Sequence, residues 1–104
     1  MTMRIAARNR LTMLGGALAA RREPESAGHY SWVWVIPLPG GGYRVRTFEV
    51  ASELVDEDVS FFDEDMRIVG DERVMSLDDI DGAVARVGVD PKALDAPWKC
   101  DFPL

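Results

Sequence analysis

The chain has 104 residues, 47% hydrophobic and 29% charged, with a formal net charge of −6; this fits one small folded domain and excludes a globally disordered chain. The charge is unevenly split. Residues 1–30 carry five Arg against Glu23 and Glu25, whereas residues 31–104 carry 7 basic and 16 acidic side chains, and a body with that anionic excess repels nucleic acid and attracts basic protein surfaces.

Residues 1–22 are rich in Ala, Leu, Met and Arg, which favour helix, but Gly15 and Gly16 weaken it. The segment imitates a secretory signal: a basic start, the short run LTMLGGALA, and small residues at Ala17-Leu18-Ala19. Arg21 and Arg22 just beyond that point disfavour export. REPESAG (22–28) reads as a linker. The expected organisation is a basic N-terminal arm or loose helix plus linker over 1–28, followed by an acidic α+β domain over 29–104.

HYSWVWVIPL (29–38) alternates as a strand. Tyr30, Trp32, Trp34 and Ile36 share one face and Val33 and Val35 the other, so the strand is expected at the centre of a sheet. PGGG (39–42) is a turn, and YRVRTFEVASEL (43–54) completes a hairpin. Val59, Phe61 and Phe62 suggest a short third strand, Asp63–Asp65 a polar turn, and Met66 to Val69 a fourth strand. Gly70-Asp71 suggests a bulge or turn before Val74. Ser76 is a good N-cap for a helix at about 77–87, with Leu77, Ile80, Val84 and Val87 as its core stripe. Gly88 suits the C′ position, and Asp90-Pro91 opens a short turn. The tail APWKCDFPL (96–104) is apolar enough to pack back through Trp98, Phe102 and Leu104. The expected fold is α+β: a four-stranded, mainly antiparallel sheet, one helix packed on a face, and the C-terminal tail closing the core.

Candidate chemistry is thin. Cys100 and His29, the lone cysteine and histidine, form at most a formal dyad, and no G-x-S-x-G elbow exists. They also cannot complete a Cys-based zinc site. One cysteine precludes an internal disulfide and favours a reducing, cytoplasmic setting. Gly40–Gly42 lacks the Lys-Ser/Thr of a phosphate loop. Asp78-Asp79-Ile80-Asp81-Gly82 has the wrong spacing for a calcium loop. Tyr30, Trp32 and Trp34 could stack on single-stranded nucleic acid, but the acidic field opposes it. No catalytic residue, cofactor or metal is therefore expected.

The remaining feature is acidity. Glu49, Glu53, Asp56, Glu57, Asp58, Asp63, Glu64 and Asp65 fall within one stretch that holds no Lys or Arg. Such density repels itself and can steer a cationic partner. Glu53, Asp56, Glu57, Asp58, Asp63, Glu64 and Asp65 are the candidate partner-binding residues. Small size, an acidic α+β domain and the absence of a catalytic set resemble the immunity proteins of bacterial polymorphic-toxin systems. That resemblance spans roughly residues 29–104 and rests on architecture and composition. It implies a non-enzymatic inhibitor that occludes a basic protein such as a toxin, and it carries no site residue with it. Two alternatives stand beside it: a structural or assembly module that homodimerises through a sheet edge, and a small enzyme with a carboxylate or metal site.

Overall fold

The structure is a computed structural model that describes residues 2–57 and 63–103. A four-stranded antiparallel sheet runs in sequence order: β1 (Leu18–Arg22), β2 (His29–Pro37), β3 (Tyr43–Ala51) and β4 (Met66–Val74). Helices α1 (Ile5–Met13), α2 (Ser52–Asp56) and α3 (Leu77–Arg86) accompany it. The α+β class and the four-strand antiparallel count match the sequence expectation. The membership of the sheet differs.

The hairpin forms where the pattern put it. Trp32 pairs with Phe48 and Val35 with Val45. Leu38 N–H donates to Gly42 O, and Gly41 N–H donates back to Leu38 O. Gly41 and Gly42 sit at φ 99° and 79°. A Cβ at Gly42 would lie 2.8 Å from the Val74 carbonyl, so glycine is required there on two grounds. The second strand ends at Ala51 and not at Leu54. Ser52 N–H and Oγ both turn to Gly28 O, and the chain winds into α2. The expected third strand, with Val59, Phe61 and Phe62, lies outside the described residues. The fourth strand of the described sheet is β1. Asp63–Asp65 form a 3-10 turn. β4 continues past Gly70 to Val74, and Val69 is its extra residue: Thr47 pairs with Gly70 but Phe48 with Ile68, the signature of a β-bulge.

Residues 1–28 correct the expected arm and linker. Leu18, Ala19 and Ala20 are buried, and β1 pairs with β2 from Leu18–Val35 to Arg22–Ser31. Met3, Ala7 and Leu11, spaced four apart, enter the core cluster with Val33, Val35, Ile80 and Val84. Polar ties hold the segment down: Met3 N–H donates to Asp81 Oδ1, Arg4 pairs with Asp95, and Arg10 Nε donates to Ala17 O. The strand was hidden because LAARR has no β-branched or aromatic residue.

Both faces of the sheet are covered, as two apolar faces on β2 require. α1 and α3 cover one. The other carries Trp32, Phe48 and Val50, covered by Leu54 and Val55 of α2 and by Cys100 and Phe102 of the tail. Phe102 lies 5.2 Å from Trp34 and 5.7 Å from Phe48, and Trp32 Nε1 donates to Cys100 O. Trp98 does not join them. The 3-10 turn Pro97–Cys100 faces Cys100 inward and leaves Trp98 68% exposed, beneath the Arg10 guanidinium. Leu104 lies outside the described residues.

α3 has the expected boundaries at both ends. Ser76 Oγ accepts from Asp79 N–H. Gly88 N–H donates to Ala85 O and Val89 N–H to Val84 O, with Gly88 at φ 83°. That is a Schellman stop, closed by burial of Val84 against Val89.

Candidate functional site

Of the sequence-predicted acidic residues, Glu53, Asp56, Glu57, Glu64 and Asp65 gather at one end of the sheet. β3 leaves that end at Ala51 and β4 enters it at Met66, opposite Val50, so α2 and the 63–65 turn emerge side by side. On α2, Leu54 and Val55 dock on the Trp32–Phe48 cluster. Glu53, Asp56 and Glu57 follow an i, i+3, i+4 spacing that places them on one side, and all three are exposed. Glu64 and Asp65 are exposed as well. Asp58 lies outside the described residues, and Asp63 is described through its backbone turn alone.

The same end receives carboxylates that sequence position had assigned to a basic arm. His29 pairs with Ala51, which brings the 23–28 loop beside α2 and adds exposed Glu23 and Glu25. Glu25 is partly neutralised by Arg67 at 3.6 Å and Arg22 at 3.8 Å. Tyr30 completes the surface: its hydroxyl donates to Asp56 Oδ1 at 2.7 Å. That hydrogen bond, followed by desolvation, raises the phenol pKa above its ordinary value.

Glu49 departs from the acidic surface. It is fully buried, and its oxygens accept from Glu25 N–H and Ser26 N–H. Arg67 lies at 3.4 Å and Arg22 at 3.7 Å. Burial pushes the carboxyl pKa up, but the Glu25 and Ser26 donors and Arg67 outweigh it and hold the pKa below the usual range. Glu49 therefore ties the 23–28 loop to the sheet.

The other chemical candidates are engaged locally. Cys100 Sγ donates to Pro97 O, and burial, then the Asp101 charge, push the thiol pKa up, which disfavours the nucleophilic thiolate. His29 Nδ1 lies 2.9 Å from Ala27 O. Arg44 and Arg46, beside the aromatic strand, both pair with Asp71. Among the described residues, no group of three or more His, Cys, Asp or Glu is placed to hold a metal ion. An open cleft of about 490 Å³ at the acidic end is lined by Arg21, Arg22, Glu23, Pro24, His29 and Tyr30.

No family model, curated protein or solved structure matches the chain. The geometry of this end therefore carries the functional reading.

Proposed function

We propose that this protein is a non-enzymatic protein-binding module whose acidic end covers a basic surface on its partner, in the manner of an immunity or antitoxin-like inhibitor. One observation carries the reading: Glu53, Asp56 and Glu57 stand on the outer side of a short helix whose inner side is docked, and exposed Glu23 and Glu64 lie at the same end of the sheet. Carboxylates held outward in this way create a field that accelerates encounter with a cation-rich surface. They also need no pocket, because occlusion requires coverage and not chemistry. Tyr30, half-buried and fixed by Asp56, supplies an aromatic contact of the kind that anchors interfaces.

The test uses the product of the adjacent gene as the binding probe. The expected result is fast, salt-sensitive association. A D56K/E57K double variant slows that association and flattens its salt dependence. An adjacent gene product that is not basic or does not bind, or an on-rate unmoved by the reversal, overturns the reading.

One observation favours a second reading, a homodimer through a sheet edge. The outer side of β1 is partly covered by the Ala19–Asp95 bridge, whereas β4 has no strand on its outer side among the described residues. The bulge at Val69 and the charges Arg67, Asp71, Glu72 and Arg73 are features that discourage such pairing. A monomer by sedimentation at high concentration removes this alternative.

A further inference from the structure

We infer that the cleft at the acidic end is a carboxylate-binding subsite with Arg21 as its cation. The subsite shares Glu23 and Tyr30 with the proposed acidic surface and is opposite to it in sign. Among the described arginines, Arg4, Arg22, Arg44, Arg46, Arg67 and Arg86 each pair with a carboxylate. Arg10 and Arg73 spend their guanidinium donors on the Ala17 and Gly41 carbonyls. Arg21 does neither. Its guanidinium lies over Tyr30, 4.2 Å from the ring centroid, close enough to interact with the phenol oxygen, and 5.6 Å from the centroid of Trp32.

That placement presets the group for an incoming anion. Stacking on an aromatic face satisfies the plane of a guanidinium and leaves its N–H edge for in-plane acceptors. Both supporting rings are themselves held: Tyr30 by Asp56 and Trp32 by Cys100 O. The fork is thus fixed before any ligand arrives, and a carboxylate is the acceptor whose geometry it fits, through two parallel bonds. Glu23 lines the same cleft without an ion pair to Arg21 among the described residues, so the guanidinium N–H groups turned away from Tyr30 are left for a ligand. The cleft volume of about 490 Å³ accommodates a small carboxylate or an acidic side chain.

The experiment is a heteronuclear NMR titration of the full chain with sodium acetate, and separately with N-acetyl-glutamate α-amide, against sodium chloride at matched ionic strength. The expected result is a saturable shift of the Arg21 side-chain N–H and the Tyr30 amide that chloride does not produce. Tighter binding of the glutamate amide than of acetate identifies a protein side chain as the source, and equal binding identifies a small carboxylate. Arg21→Lys keeps the charge and loses the fork, so it weakens binding about tenfold, the equivalent of one charge-assisted hydrogen bond. Glu23→Gln removes a competing charge and strengthens binding. Non-saturating shifts, shifts shared equally by Arg8 and Arg73, or indifference to both substitutions overturn the inference. Unchanged sheet amides in each variant confirm that the fold is intact.

Discussion

Glu49 shows how one buried side chain can organise a surface. It sits on the helix-covered side of β3 with no exposure, and its two oxygens are satisfied by two backbone N–H groups and two arginines. Removing one partner of such a group strands the other. Arg22, whose side chain is 9% exposed, would keep a buried charge with only the half-exposed Glu25 at 3.8 Å as counter-ion. Glu49→Ala is therefore expected to destabilise the fold by about 3 kcal/mol, read from urea unfolding, and to release the 23–28 loop to proteolysis. The pH dependence follows from the same contacts. The folded-state pKa of Glu49 is depressed, as is that of Asp95, which the Ala96 N–H and then Arg4 hold down. A depressed carboxyl contributes stability above its unfolded pKa and loses that contribution as pH falls through the folded value. Stability should hold down to about pH 4.3 and fall below it, near the ordinary Glu and Asp values. In Glu49→Ala the acid limb should be shallower, as measured by unfolding midpoints between pH 7 and pH 2.

Among the elements, β1 and α3 stand at opposite ends of legibility. α3 was readable at both boundaries because its signals are local: a serine hydroxyl for an orphan N–H, a glycine for a left-handed residue, an apolar stripe at helical spacing. β1 was not readable. Its five residues acquire their strand character from the register with β2 and from the bridge between Ala19 and Asp95. Leu18 is fully buried in the cluster that joins α1, α3 and the sheet. Leu18→Ala is expected to cost about 3 kcal/mol, by thermal or urea unfolding. A loosely attached arm would give a change near zero. Likewise the tail was legible in Phe102, which packs, but not in Trp98, whose outward direction is set by a turn of 3-10 geometry.

At the scale of the molecule, the division of charge along the chain does not survive folding. Arg4 crosses to Asp95 at the surface and Arg22 to buried Glu49, so part of the basic segment is neutralised within the protein. Glu23 and Glu25 move the other way and join the acidic end. The carboxylates exposed there, among the described residues, are Glu23, Glu25, Glu53, Asp56, Glu57, Glu64 and Asp65, and that set governs long-range encounter. Salt should slow association with a basic partner, with the effect fading as the screening length drops below about 10 Å near 0.1 M. No helix among the described residues is long and apolar enough to cross a membrane.

The sequence by itself determined the α+β class, the β2–β3 hairpin, both ends of α3 and the presence of a dense acidic stretch. Each rests on neighbours in the chain, through side-chain alternation, capping hydrogen bonds or charge density. Only the tertiary structure decided that residues 18–22 complete the sheet, that Glu49 leaves the acidic surface, that Glu23 and Glu25 join its end, and that Arg21 rests on Tyr30. Those outcomes depend on which partner a residue meets across tens of positions, and strand pairing and burial settle that after the local elements have formed.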